Sequence, residues 1–520
     1  MLELELFDGT GRLDVDPDTS VQFEQNFNLH DFEHVEGTKS WRFKLPKTAN
    51  NLRKTGWANI PELRSSFENN IKIRVNLAGT LWKVGLLYFI NDAPGYWNVH
   101  FAGEAGLLKK LVGDKKLTDF DYPVVTGISD MYAHAKTVAE QGASQHDYTF
   151  FEVYTPNKTK VDSDGDPLDL GPFLNPYSYD FSFESWTGFS GQISGNYSPL
   201  APFPYVKAVL QHIGDALGIS FGGALWTNDE FARLCFFTTL TLNELVGEDE
   251  LPIGDPGSEV NLANHLPDDK LSDVLKAIGK LFNQQVIYDD QENSIVFVHR
   301  STLLTGEIDA SLRYKVSEVT NEYQERRTYS LRYDYSEEDV ELTKGDSTVQ
   351  DLSGIDGADD STEVEAKYST LPMMNVDVGT AGITQYRRPV THTNLNEAHS
   401  KFLFYRNFVE GVENTAPVVL DTPYGSSDLD YTPLATATLD SYSLKWKGSA
   451  GLYAIWWQPF LEKLKLGRVL KAQLIWSLVD LYRFEENKLY AILDYVCLFE
   501  ELTASFKGGD LLVEGQLLKL

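Results

Sequence analysis

The residues of this chain best suited to chemistry by type and spacing are the aspartates of VDSDGDPLD at 161–169. Asp162, Asp164 and Asp166 alternate, so their oxygens could converge on a hard cation such as Ca²⁺. The pattern stops short of a calcium loop. Pro167 stands where the tight turn wants glycine, two places after Gly165, and Phe173 stands where a bidentate glutamate would complete the ligands. This points to a turn of solvated aspartates, with Asp162, Asp164 and Asp166 kept as candidate metal ligands. The histidines, at 30, 34, 100, 134, 146, 212, 265, 299, 392 and 399, form no HExxH motif. His30 and His34 are four apart, but in a strand-like or loop-like stretch, where that spacing shares no helical face. His212 lies in an amphipathic run and reads as boundary packing. The nearest approach to a nucleophile elbow is GFSGQISG at 188–195, where Ser190 has the wrong glycine spacing. No glycine-rich phosphate or dinucleotide pattern opens a helix after a strand. Paired carboxylates for glycoside hydrolysis are left open, because their separation decides and sequence does not give it. The expectation is a protein with no catalytic residue and no cofactor. Two aromatic clusters, SWTGF at 185–189 and Ile455 to Trp457, could stack sugars, anchor an interface or fill a core. In IWWQPFLEKL, Trp456, Pro459, Phe460 and Leu464 fall near one helical face, which favours the core.

The elements that must position these residues are mostly strands. Leu2, Leu4 and Leu6 alternate with Glu3 and Glu5, Val21, Phe23 and Gln25 keep the period of two, and Trp41, Phe43 and Leu45 repeat it. IKIRVNLAGTLWKVGLLYFIND reads as a hairpin turning at Gly79, GYWNVHF at 95–101 as another strand, and GEAGLLKKLVG at 103–113 as a short helix. Residues 1–125 are therefore assigned to an N-terminal antiparallel β-barrel-like domain. Residues 126–200, rich in Gly, Pro, Ser and aromatics, read as an irregular insertion. Residues 201–310 read as a helix-plus-strand domain. In PYVKAVLQHIGDALG the apolar residues Val206, Val209, Leu210, Ile213 and Leu217 follow helical spacing, and LSDVLKAIGKLFNQ repeats it with Leu271, Val274, Leu275, Ile278, Leu281 and Phe282, capped by Ser272 or Asp269. Both helices contain VLxxIG, a motif short enough to arise by chance or by duplication. A hairpin is predicted over 285–300, turning at 291–293. Residues 311–433 form a second β domain with a solvated acidic loop at 344–365 and a linker-like DTPYGSSDLDYTP at 421–433. Residues 434–520 form a C-terminal β-rich segment with a helix near 452–466. The fold class is α+β, β-rich and multidomain.

Composition narrows the role. The 520 residues allow about three to five units at roughly 100–200 residues each. Asp plus Glu outnumber Lys plus Arg by 76 to 45, and the net charge of −31 repels phosphate backbones and anionic membranes. Cys235 and Cys497 lie far apart with no CxxC, so neither a disulfide framework nor a zinc site is indicated. The start MLELELFDGTGRLDVD has no basic and apolar leader, and no apolar run is long enough to span a membrane. The expectation is a soluble chain with no membrane anchor, held in the cytoplasm until assembly or lysis.

The order of segments, SWRFKLPKTANNLRKTG, then PYVKAVLQHIGDALG, then NHLPDDKLSDVLKAIGKLFNQQVIYDD, then YAIWWQPFLEKL, resembles tail proteins of phages and prophages of Bacteroidetes-type bacteria. More distantly the plan is similar to tail or baseplate hub proteins of tailed phages and contractile injection systems. The most specific part is 264–290, with Pro267, Leu271, Val274, Leu275, Leu281, Phe282 and Asn283. These are packing positions and carry no catalytic role. The resemblance implies a structural protein of the virion tail: a trimeric hub whose paired, tube-docking β-barrel domains adapt a sixfold tail tube to a threefold tip. It implies as partners the tail tube and distal tail proteins, the tape measure protein and tip or fibre proteins, with genome DNA present only in transit through an acidic channel. The alternatives read from the residues are a carbohydrate-binding surface or tail-tip protein and a tail-associated cell-wall hydrolase.

Overall fold

The computed structural model describes residues 2–27, 29, 32, 37–56, 70–155, 159–161, 167–169, 173–175, 186–187, 196–197, 200–242, 258–289, 292–322, 327–334, 348–351, 360–371, 373–376, 386–389, 398–410, 431–436, 441, 443–464, 468–507 and 509–520. Its largest sheet has 14 strands. They are β1 (Leu2–Leu6), β2 (Arg12–Leu13), β3 (Val21–Asn26), β4 (Gly37–Ser40), β5 (Phe43–Pro46), β6 (Asn70–Leu77), β7 (Thr80–Ala93), β8 (Tyr96–Ala102), β9 (Ile308–Asp309), β10 (Val316–Glu322), β11 (Arg468–Leu474), β12 (Leu489–Ile492), β13 (Tyr495–Lys507) and β14 (Asp510–Lys519). The hydrogen-bonded order is β2-β1-β6-β7-β8-β4-β3-β13-β14-β11-β10, with β5 also on β8 and β12 on β13 carrying β9. Every pair is antiparallel except β9 with β12. The chain is thus β-rich α+β, built on one large antiparallel sheet. Among the described residues no pairing joins β2 to β10, so these are the ends of the sheet.

The period of two sets which face is buried. Leu4, Phe23, Ile73, Val75, Val99 and Phe101 of the first strands and Leu470, Leu502, Val513 and Leu517 of the last share one core. Phe23 is packed edge-on by Trp82, Phe101 and Phe506 at ring distances of 5.3, 5.7 and 6.0 Å. The β6–β7 hairpin turns at Ala78 and Gly79, whose φ angles of 51° and 85° suit a two-residue turn with both central residues left-handed. Trp41 departs from the expected alternation and is 58% exposed. It falls in the break between β4 and β5, so the inward register restarts only at Phe43.

The middle of the chain builds a second, larger core. Helices α1 (Ala49–Lys54), α2 (Glu104–Val112), α3 (Met131–Gln141), α4 (Val206–Leu217), α5 (Leu271–Leu281), α6 (Gln458–Leu464) and α7 (Leu478–Arg483) are placed around the strands. Helix α4 leads into Ser220–Gly223 and α5 into Gln284–Asp289, and both of these strands pair with Ser294–His299, the first parallel and the second antiparallel. The VLxxIG echo has a structural basis here. Gly214 and Gly279 each lie five residues before a carbonyl that crowds them: a Cβ at Gly214 would stand 2.5 Å from the Ile219 oxygen, and one at Gly279 would stand 3.0 Å from the Gln284 oxygen. Four residues after each glycine the chain turns through a left-handed residue, Gly218 at φ 67° and Asn283 at φ 46°. The motif is a tight helix-to-strand turn used twice.

Several expectations are corrected. The stretch 126–200 is not wholly irregular, since α3 occupies 131–141 behind an Asp130 cap that accepts the Ala133 N–H at 3.0 Å. Its inner face is Met131, Ala135, Val138 and Ala139, too weakly apolar to stand out by periodicity. The acidic loop at 344–365 contains strand residues. Thr348–Asp351 and Asp360–Ala366 pair on either side of Arg327–Tyr333, because Val364 turns inward while Glu363 and Glu365 reach the Arg332 guanidinium. The end of the linker-like stretch joins the strand Tyr431–Thr436, and the part before it lies outside the described residues. Helix α5 starts at Lys270 without a side-chain cap, because the Asp269 carboxylate is turned away to other partners. In the aromatic block, Tyr453–Trp457 form a π-helical turn before α6. That shift carries Trp457 into the core with Phe460, Leu461 and Leu464, and leaves Trp456 half-buried and Pro459 exposed. Helix α7 is capped by the Ser477–Asp480 pair.

Two substitution pairs test this packing by chemical denaturation. Gly214→Ala is expected to cost about 2–3 kcal/mol through overpacking against a carbonyl that cannot give way, and Gly279→Ala about 1 kcal/mol. Trp457→Ala, which also removes a 3.0 Å hydrogen bond from Nε1 to the Lys280 carbonyl, is expected to cost about 3–5 kcal/mol. Ile455→Ser, on the exposed side, should stay within about 0.5 kcal/mol.

Candidate functional site

The structure brings together histidines that have no shared motif. Helix α3 presents His134, whose Nε2 is 2.7 Å from the Tyr148 hydroxyl. His146 donates from Nε2 to the Gln141 side-chain oxygen at 2.7 Å, and its ring lies 6.4 Å from that of His134. On α4, His212 donates from Nε2 to Asp147 at 2.9 Å. The boundary position expected for His212 therefore holds, with an ionic partner that no local pattern announces. His212 and Asp147, together with Tyr205, Lys207, Gln211 and Arg233, line a cleft of about 530 Å³, and His134 and His146 are not among its lining residues. Burial lowers the pKa of both His134 and His146, the neighbouring Asp147 charge opposing that effect at His146. An aspartate orienting a histidine is two-thirds of a nucleophile, base and orienter arrangement. Among the described residues no serine or cysteine hydroxyl or thiol is hydrogen-bonded to His212.

Other predicted positions fall elsewhere. Asp162, Asp164 and Asp166 lie outside the described residues, as do His30, His34 and Ser190. Among the described residues no group of three His, Cys, Asp or Glu side chains is placed to hold a metal ion, and no helix is long and apolar enough to cross a membrane. Cys235 and Cys497 are both free and buried, and burial raises each thiol, Cys497 to about 12.

The second candidate is a surface and not a pocket of catalytic groups. Strands β11 and β14 bury alternate residues, and the residues between them form a polar face that β10 and β13 continue. One cross-strand row reads Glu318, Gln473, Glu514, Thr503, and the next reads Thr320, Lys471, Gln516, Glu501. These side chains line a trough of about 450 Å³. Directly opposed residues on a sheet face are near neighbours, so three carboxylates around one lysine give the trough a negative field. At its end the backbone N–H of Ile475 donates to the Lys315 carbonyl at 2.9 Å, and the Lys315 ammonium pairs with Asp480 of α7. This corner exposes Tyr314 (77%), Ile475 (64%) and Val479 (54%). The arrangement offers a polar, acidic row of side chains beside a sheet edge and an apolar corner.

No protein-family model matches this chain, and no curated protein is similar to it. Among the solved structures similar to this chain are two that it matches over nearly their whole length. The 43 kDa tail protein of prophage MuSo2 from Shewanella oneidensis is 8% identical, covers 100% of this chain and 98% of its own, and has a TM-score of 0.37. The tail protein from Neisseria meningitidis MC58 is 9% identical, with 100% and 96% covered and a TM-score of 0.30.

Burial of neutral histidines gives the fold an acid-side weakness. His265 is fully buried near the Leu240 backbone, and desolvation pushes it down to about 3. Its folded pKa lies below the ordinary value near 6.5, so the unfolded chain binds more protons between those limits. Its contribution is therefore complete above pH ~6.5 and is lost as pH falls toward ~3. Urea titrations across that window should show a shallower decline for His265→Gln than for the parent; equal slopes would remove His265 as a cause.

Proposed function

We propose that this chain is a structural protein of a phage tail, acting as a trimeric hub between a sixfold tube and a threefold tip. The observation that carries the reading is the 14-stranded sheet, which joins strands from both ends of the chain and terminates at a seven-residue edge strand, β10. A sheet edge is a template for further pairing, and the neighbouring proteins of an assembly are one way of covering such edges. The sequence resemblance to tail and hub proteins supports the same reading. In it, the two halves of the large sheet act as the tube-docking, barrel-like domains, and three copies set six of them in a ring. Tail tube, distal tail, tape measure and tip or fibre proteins are its neighbours, and the virion tail is its place. The net charge of −31 suits a channel wall that lets DNA pass without holding it. The mechanism is symmetry adaptation and interface burial, and no bond chemistry is assigned.

Light scattering across a dilution series tests this directly. The expected mass is three times 58.6 kDa. A monomer at every concentration, also when mixed with tail tubes, would overturn the trimeric hub.

A further inference from the structure

We infer that the edge of β10 left unpaired among the described residues accepts an extended strand from another protein, and that this strand carries lysine or arginine at alternate positions above the trough. The inference rests on the assembly reading only in taking the strand from a neighbouring tail subunit; the edge and its chemistry stand on their own.

The two ends of the large sheet differ. At one end β2 is only two residues long, which leaves little backbone to pair with. At the other, β10 runs for seven residues as VSEVTNE, and among the described residues it pairs with β11 alone. It contains no proline and no lysine, the residues that commonly block an edge. Ser317, Glu318, Thr320 and Asn321 are exposed, so the edge is open to a partner. Strand addition supplies main-chain hydrogen bonds, and alternate side chains of the added strand then choose the partner.

The trough says which side chains those are. A strand placed beside β10 extends both polar rows by one position, next to Glu318 and next to Thr320. Its trough-side residues meet the field of Glu318, Glu501 and Glu514, relieved within those rows by Lys471. Cationic side chains complement that field. A second copy of this chain does not, because pairing β10 with its own copy prolongs one acidic trough into another and sets like charges opposite. Tyr314, Ile475 and Val479 at the start of β10 add an apolar corner that can anchor the end of the incoming strand.

The test uses the full-length chain and a fluorescent peptide of about eight alternating lysine and threonine residues, a common strand length, followed by anisotropy. Binding is expected. Methylating alternate backbone nitrogens on the pairing edge of the peptide keeps its charge and removes its donors, and should weaken binding ~10-fold or more. The double variant Glu318→Lys with Glu514→Lys, both exposed and checked for unchanged melting, should weaken the unmethylated peptide by a similar factor. Equal affinity for methylated and unmethylated peptides would reduce the effect to charge attraction and overturn strand addition. Absence of binding by the unmethylated peptide would overturn it as well. If the peptide instead lowers the mass of the assembled chain, a second copy occupies the edge and the proposal fails. The trimeric state is judged by mass without peptide, so either conclusion can fail alone.

Discussion

The pairing of β3 with β13 is the contact on which the large sheet depends. Six residues of β3, from Val21 to Asn26, run antiparallel to the stretch from Phe506 back to Glu501. The strands before it, β1 to β8, would otherwise form one sheet and the strands after residue 300 another. Each would then have a further open edge and a half-covered core. Phe23 shows how the two halves are welded: its ring is surrounded by Trp82 and Phe101 from one half and Phe506 from the other. Polar groups repeat the connection, with Gln25 donating to Glu486 at 3.0 Å and Lys83 pairing with the same carboxylate. Closing so long a loop costs little more than closing a moderate one, because the entropy grows only with the logarithm of length. The constraint is kinetic, since such distant partners meet late in folding.

A second set of contacts ties the middle of the chain together, and it converges on the ends of α5. At its start, Asp269 accepts hydrogen bonds from Tyr368 at 2.7 Å and Ser400 at 2.6 Å and pairs with Lys367 at 2.5 Å. One carboxylate thus joins the helix to two strand-bearing segments more than 90 residues later. At its end, Asn283 donates to the Trp456 carbonyl at 2.8 Å, and Trp457 donates back to the Lys280 carbonyl. Nearby, Arg300 donates to the Leu29 carbonyl at 3.1 Å and lies over the Phe32 ring, which docks this middle unit on the N-terminal strands.

Local patterns made α2, α4, α5 and the first hairpins readable, because each buries a stripe that recurs at its own period. The departures share a physical cause. Helix α3 is held by small residues against a core made elsewhere, so its stripe is faint. Trp456 and Trp457 exchange roles because a π-helical turn advances the register, and an ideal period carries no record of that. Asp269 looked like a cap by position, yet a carboxylate beside a helix start goes to whichever donors tertiary structure brings, and here a buried tyrosine and a serine win. The pairing of His212 with Asp147 was equally unannounced, since the two residues lie 65 positions apart. The trough was equally hidden: alternation announces that β10, β11, β13 and β14 have polar faces, and only the pairing register sets Glu318, Glu514 and Glu501 on one surface.

Four of the lysines of this acidic chain form ion pairs with shielded carboxylates. Lys83 meets Glu486, Lys315 meets Asp480, Lys367 meets Asp269 and Lys39 meets Glu24, and the first three pairs each link segments far apart in sequence. Their carboxylates are largely shielded, with side-chain exposures from 10% to 23%. Salt screens such partly buried pairs less than it screens charges in open water. The repulsion among the remaining exposed carboxylates, by contrast, acts through solvent and is weakened at physiological ionic strength. Added salt therefore reaches the destabilising charge term before it reaches the stabilising one, and these pairs hold while the repulsion around them is screened.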